Sequence, residues 1–228
     1  MSPKAITGRE NQLIFWERKL IKAIIFDCWD TILDNGTSAL KEVRKILGVK
    51  FDGFAEKFEN AFMKQWFKTE EEGFRKVCMA FGIEPKEELV KKLAEMWRRK
   101  DSSAKPYSDT IPVLSRIRKK YKTALISNTD CFVHPILKKY SLEELFDVVK
   151  LSCDSKLLKP DKKLFEAVCE ELGVKKDEAV MVGDSLRVDI MGAKNAGLKY
   201  VLIDRKCKSD FSPKIKSLKE LEKALSMI

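Results

Sequence analysis

Apolar residues run unbroken from Ala23 to Phe26 and stop at an acid, Asp27. A run that continuous is too apolar for a half-exposed strand. It predicts a central parallel strand over 21–27, buried on both faces. Upstream, "GRENQLIFWERK" (8–19) carries an apolar stripe at Leu13, Phe15 and Trp16 and predicts a short amphipathic helix. Downstream the period changes. Between about 35 and 105, "ALKEVRKILG", "GFAEKFENAFMKQWFK" (53–68), "EEEGFRKVCMAFG" and "KEELVKKLAEMWRRK" all carry apolar residues at helical spacing. Glycines or Pro85 separate several of these segments, so four helices are expected with no strand between them.

Beyond residue 106 strands and helices alternate. Helices are predicted over 110–120, 132–140, 161–172, 186–196 and near 217–226, and strands over 122–127, 147–151, 179–183 and 199–203. That alternation means an α/β fold, a parallel sheet with helices on both faces. The expected organisation is an N-terminal helical extension at 1–20, an α/β core at 21–34 and 106–228, and an all-helical insert at 35–105. No internal repeat or low-complexity tract is visible.

Composition narrows the class. With 44% hydrophobic and 35% charged residues the chain buries a real core and is not disordered. No run of eighteen apolar residues occurs, so no membrane span is expected. The N-terminus shows no charged-then-apolar signal, which makes the cytoplasm the expected location. Six scattered cysteines without a C-x-x-C pair argue against a zinc site or a disulfide framework, and read as small buried hydrophobes in a reducing compartment. The net charge of +10 raises nucleic acid as a partner, but in "PKEELVKKLAEMWRRK" lysines alternate with glutamates as on a solvated helix face. No nucleic-acid module appears, so no such partner is expected. Scarce Asn and Gln beside abundant Lys, Glu and Arg form a composition common in thermophile proteins.

The chemistry collects where strands end. In an open parallel sheet, ligands bind at the carboxyl ends of the strands. The first strand ends at Asp27, and the strand at 122–127 ends in Ser127 and Asn128. The strand at 179–183 runs into Asp184, Ser185 and Asp189, and "LLKPDKKLFE" places Lys159 before a proline-led helix. Several carboxylates converging on one point repel one another unless a cation neutralises them. With hard oxygen donors and no His or Cys cluster, that cation is expected to be Mg²⁺. A lysine, a hydroxyl and an amide beside it suit an anionic phosphoryl group. A carboxylate in such a site can attack phosphorus and form an aspartyl phosphate. An acid ending one strand is often only a helix cap, and it is the set that points to chemistry.

The order "hhhhDxxxT…hhhSN…KP…hhhGDSxxxD" resembles the haloacid dehalogenase superfamily of hydrolases across residues 21–34 and 106–205. "KPDKKLFE" and "VMVGDSLRVDIMGAKNAG" are especially similar to that family's third and fourth motifs. The resemblance implies a Rossmann-like core with a helical cap in place of the insert. It implies Asp27 as nucleophile, Ser127 and Lys159 as phosphate ligands, with Thr31 and Asn128 beside them. It further implies Mg²⁺ held by Asp27, Asp184 and the backbone carbonyl of Trp29, with Asp189 behind them. The expected substrate is a small phosphorylated metabolite.

The chain departs from the family at one place. Phosphatases of this family usually read D-x-D-G-T, with the second Asp as general acid and base. Here Trp29 takes the acid's place and Asp30 the glycine's, while Thr31 and Asp34 keep their spacing. Indole yields no proton usefully at neutral pH. Three readings follow. In the first, a Mg²⁺-dependent phosphatase uses Asp30 or a cap residue as its acid. In the second, the chain is a metal-free 2-haloacid dehalogenase, a branch with an aromatic residue at this place that generally lacks Asp184's counterpart. In the third, a weakly active relative binds a phosphorylated ligand. A phosphonate hydrolase would need a cap lysine, and Lys57 and Lys64 are available. His134, the single histidine, reads as a surface or helix-cap position. Trp66 and Trp97 read as packing within the cap, or as an aromatic lid. The helix at 8–19 is expected to cover an apolar patch on the core or on a second copy.

Overall fold

The computed structural model describes residues 20–34, 36 and 39–228. The helix expected at 8–19 therefore lies outside the described residues. The first strand, β1 (Ala23–Phe26), is followed by the two-residue β2 (Leu33–Asp34) and four helices: α1 (Ala39–Leu47), α2 (Phe54–Phe62), α3 (Glu70–Ala80) and α4 (Glu87–Ser103). The chain then returns through β3 (Lys105–Pro106), which pairs antiparallel with β2 so that Leu33 faces Pro106 and Asp34 faces Lys105. The remainder is α5 (Thr110–Ile117), β4 (Lys122–Ser127), α6 (Val133–Lys139), β5 (Val148–Leu151), α7 (Ser152–Ser155) and α8 (Lys162–Leu172). After these come β6 (Ala179–Gly183), α9 (Met191–Ala196), β7 (Lys199–Ile203), β8 (Lys214–Ile215) and α10 (Leu221–Leu225).

Six described strands form one parallel sheet in the order β5-β4-β1-β6-β7-β8. From β1 the chain builds outward through β4 and β5, then crosses back to lay β6 on the other side of β1. The winding direction reverses there, which opens a crevice at the carboxyl ends of β1, β4 and β6. β1 is fully buried because it is covered twice. Ala23 and Ile25 pack toward Phe165 and Val168 of α8 and Ala193 of α9, while Ile24 and Phe26 join the larger core on the other face.

That larger core runs without a break into the helical cap. Phe58 and Phe62 of α2, Phe74 of α3 and Trp97 of α4 meet ring to ring, with Phe62 4.8 Å from Phe74 and 5.2 Å from Trp97. Such aromatic contacts add to the area that these large side chains remove from water. Thr69 caps α3 by accepting the Glu72 N–H at 3.3 Å.

Several elements differ from the sequence expectation. The helix expected over 53–68 stops at Phe62, because tertiary contacts capture the chain beyond it. The Met63 carbonyl accepts the Ser152 hydroxyl at 2.6 Å, and Phe67 N–H donates to Cys131 Sγ at 3.4 Å. Trp66 therefore does not pack within the cap. It stands 61% exposed, stacks on His134 of α6 at 5.1 Å, and donates its indole N–H to Asp154 at 2.8 Å. The segment at 186–196 begins as a wide π turn, Leu186–Ile190, before α9. Five cysteines are buried as expected, but Cys207 is exposed. No helix among the described residues is long and apolar enough to cross a membrane.

Candidate active site

The ladder of β1 extends one residue past its end, because Asp27 N–H donates to Val182 O at 2.9 Å. The chain then turns sharply. Ile32 and Leu33 both donate to the Cys28 carbonyl at 2.9 Å, and Asp30 N–H donates to Leu33 O at 2.8 Å. The turn requires φ +55° at residue 30, a left-handed conformation that aspartate tolerates better than most side chains. It carries Thr31 back over Asp27, where the threonine hydroxyl donates to Asp27 Oδ2 at 3.2 Å. Arg205 braces the turn from outside by donating to Thr31 O at 2.6 Å.

Lys159 comes from the loop before α8, with its side chain only 2% exposed. Its ammonium lies 2.5 Å from Asp27 Oδ1, 2.7 Å from Asp189 Oδ1 and 3.3 Å from Ile126 O. Asn128 registers this loop against the end of β4. Lys159 N–H donates to Asn128 Oδ1 at 2.7 Å, and Asn128 Nδ2 donates back to Lys159 O at 2.9 Å. Asp189 turns its second oxygen to the Ser185 N–H at 3.0 Å. Gly183 makes room for that carboxylate, since a Cβ there would lie 2.4 Å from it. Ser127, 1% exposed, has a hydroxyl oxygen with no hydrogen-bond partner among the described residues.

The charges of the site do not balance. Oxygens of Asp27, Asp184 and Asp189 all lie within 4.8 Å of one another. Burial pushes the Asp27 carboxyl up to about 6, with Lys159 opposing and Asp189 adding to it. Asp184, on the open rim, is pushed up to about 8 by withdrawal from solvent in the cleft and by Asp27, Asp189 and Asp30. Burial works against the Lys159 charge, yet Asp189 and Asp27 outweigh it and hold the ammonium above its ordinary range. One lysine facing three acids leaves negative charge uncompensated. All the donors are hard oxygens, so the set fits Mg²⁺.

These groups line a cleft of about 220 Å³ whose far wall belongs to the cap. Trp29 is fixed there by its indole N–H, which donates to Thr129 Oγ1 at 3.1 Å. Trp97 of α4 donates to Asp130 Oδ2 at 3.1 Å. Asp30 lies at the rim, where its Oδ1 accepts from Tyr107 and Lys206, each at 3.4 Å. Two cap residues in the wall were not singled out from the sequence. Lys100 is 6% exposed, and its ammonium is 2.9 Å from Asp101 Oδ1. Glu59, 9% exposed, accepts from Asn128 Nδ2 at 3.1 Å. A signal for both existed. Lys100 continues the apolar stripe Leu93, Met96, Trp97 of α4, and Glu59 shares the buried side of α2 with Phe58 and Phe62. A charge on a buried stripe is a charge with a local partner or a task.

His134, read as a surface position, bridges cap and core. It stacks on Trp66 and holds Asp154 at 3.2 Å, with Cys153 Sγ 4.0 Å away.

A family model described as haloacid dehalogenase-like hydrolase matches residues 21–197. The glyceraldehyde 3-phosphate phosphatase of Methanopyrus kandleri is 29% identical over 207 residues, covering 86% of this chain and 89% of that protein. The N-acylneuraminate-9-phosphatase of Mus musculus is 28% identical over 200 residues, covering 78% of this chain and 80% of that protein. A crystal structure of a HAD phosphatase from Thermococcus onnurineus matches with a TM-score of 0.61 at 30% identity, over 90% of this chain and 98% of that one.

Proposed function

The chain belongs to the haloacid dehalogenase-like hydrolases, and we propose that within them it is a Mg²⁺-dependent phosphatase of small phosphorylated metabolites, acting through an aspartyl phosphate on Asp27. The observation that carries this reading is the buried Asp27–Lys159–Asp189 chain of contacts, 2.5 and 2.7 Å long, with Asp184 completing a three-carboxylate set beside it. The phosphatases among its relatives point the same way.

In this mechanism the Asp27 carboxylate attacks phosphorus, with Thr31 holding Oδ2 and Lys159 holding Oδ1. Lys159 also offsets charge on the phosphoryl oxygens, and Asp189 keeps its ammonium aimed. The unspent Ser127 hydroxyl is a donor for a phosphoryl oxygen at the end of β4. Mg²⁺, held by Asp27, Asp184 and the Trp29 carbonyl, would neutralise the oxygens on which charge develops. Water then releases inorganic phosphate and restores Asp27. The cap residues Glu59, Met63, Trp97 and Lys100 line the cleft and would meet the organic part of the substrate.

A panel of phosphomonoesters and acyl phosphates with Mg²⁺, and haloacids without metal, tests the reading. Turnover of a small phosphate ester that EDTA abolishes is the expected result. Halide release without metal would replace this reading by a dehalogenase, and inert protein in both arms would leave a ligand-binding relative.

A further inference from the structure

The proposed reaction needs a proton twice: on the leaving oxygen when Asp27 attacks, and off water when the aspartyl phosphate is hydrolysed. Trp29 serves neither step, because its one N–H is spent on Thr129 Oγ1 at 3.1 Å. Asp30 turns its Oδ1 to Tyr107 and Lys206 at the rim. Besides Asp30 and the acids around Lys159, the titratable side chains in the cleft wall are Glu59 and Lys100. The Lys100 ammonium is committed to two indole faces and to Asp101. Glu59 presents a carboxyl, a group that can both give and take a proton. Its Oε2 accepts from Asn128 Nδ2 at 3.1 Å, and Arg187 is the cation that acts on the carboxyl most strongly. Asn128 directly follows Ser127 and is locked to the Lys159 backbone by two bonds. The Glu59 carboxyl is therefore registered on the two segments that hold the phosphoryl group in the proposed function.

We propose that Glu59 of the cap is the general acid and base of this site, replacing the carboxylate that Trp29 displaces. The inference rests on the phosphatase reading. As Asp27 bonds to phosphorus and the bond from phosphorus to the leaving oxygen breaks, the Glu59 carboxyl gives that oxygen its proton. The resulting carboxylate then takes a proton from water as the water oxygen bonds to phosphorus. The bond from phosphorus to Asp27 breaks, phosphate leaves, and Glu59 is again protonated. Burial lifts Glu59 above the ordinary glutamate range and Glu56 adds to it, while Arg187, the Asn128 hydrogen bond and Lys159 oppose it. A raised carboxyl suits a group that must hold a proton near neutral pH. Because α2 carries it, the acid reaches the substrate only when the cap is closed, which ties chemistry to the exclusion of water.

The test compares native protein, E59Q and D30N on an alkyl phosphate and on 4-nitrophenyl phosphate, with Mg²⁺. Circular dichroism and inorganic phosphate binding verify that each variant is folded. E59Q should lower kcat on the alkyl phosphate by about 10²–10⁴-fold, with a smaller change in KM. On 4-nitrophenyl phosphate, whose leaving group needs little protonation, E59Q should show a burst and a phosphoenzyme trapped by acid quench. Formate should restore part of the turnover of E59G, and E59D should exceed E59Q. A purely structural role for Glu59 produces neither the leaving-group dependence nor the rescue. Turnover of E59Q within about threefold of native, far below the general acid effect, would overturn the inference. So would a collapse in D30N that E59Q does not share. A native protein that turns over no phosphate ester fails earlier, and overturns the phosphatase reading together with the inference.

Discussion

The Lys100 ammonium lies 3.9 Å from the centre of the Trp97 ring and 4.3 Å from that of Trp29, so one cation of the cap sits between an indole of the cap and an indole of the core. The residue that stands in the acid's place thus has a structural partner. A desolvated cation over an indole is worth about 2 kcal/mol. Asp101, partly buried, supplies the counter-charge at 2.9 Å.

Removing the cation should expose that dependence. K100M leaves the Asp101 carboxylate without its counter-ion, and should lower stability by about 2–4 kcal/mol in urea unfolding. K100M/D101N should recover part of the loss, because the orphaned charge is gone. Strictly additive losses in the two single variants and the double variant would mean that the two residues do not act as a pair.

The metal set predicts a separable binding defect. D184N removes one of three converging carboxylates while leaving the Lys159 contacts to Asp27 and Asp189 in place. Calorimetric titration with Mg²⁺ should show at least about tenfold weaker binding in D184N, with the unfolding midpoint held or raised because a carboxyl need no longer be held beside Asp27 and Asp189. Equal Mg²⁺ affinity in both proteins would place the cation elsewhere.

The crossings between core and cap predict a hinge. Two short strands, Leu33–Asp34 and Lys105–Pro106, carry the chain out to the four helices and back. A pair this short bends at low cost, and cap residues of α2 and α4 form one wall of the cleft. Small-angle scattering should report a larger radius of gyration for the free protein than for the protein with Mg²⁺ and a phosphate mimic. Identical profiles in both states would argue for a fixed cap.

Asp109 predicts an acid limit to stability. It is 4% exposed and accepts from Arg205 at 3.0 and 3.1 Å, from Ser217 at 2.6 Å and from the Leu218 N–H at 2.8 Å. Burial alone would raise its carboxyl, but Arg205, Ser217 and Leu218 outweigh it and hold it below the ordinary value of 3.8. A folded value below the unfolded one means stability that is present above about pH 4 and lost as pH falls through the folded value. D109N should cost about 2–4 kcal/mol at pH 7 and show a flatter decline below pH 4. Parallel curves for native protein and D109N across that window would remove Asp109 as the cause. Since Arg205 also holds Thr31 O, a loosened Asp109 should disturb the turn after Asp27 as well.

The sequence by itself determined the parallel sheet, the helical insert and the positions of the strand-end acids. These follow from local rules. An unbroken apolar run marks a doubly covered strand, a 3.6-residue period marks a helix, and an acid directly after a strand stands at its carboxyl end. That Asp27 and Lys159, 132 residues apart, share one site followed from the rule that a parallel sheet gathers its chemistry at its strand ends; their direct contact at 2.5 Å came only with the tertiary structure. The tertiary structure alone decided which cap residues face the cleft. Glu59 meets Asn128 across 69 residues, and Trp66 leaves its expected helix to meet Asp154 across 88. It also decided that Asp30 occupies a left-handed turn and pairs with Tyr107 and Lys206 at the rim. Helix periodicity reports that a face is buried but not against what. A buried glutamate or lysine acquires its meaning from the segment that folding brings opposite to it.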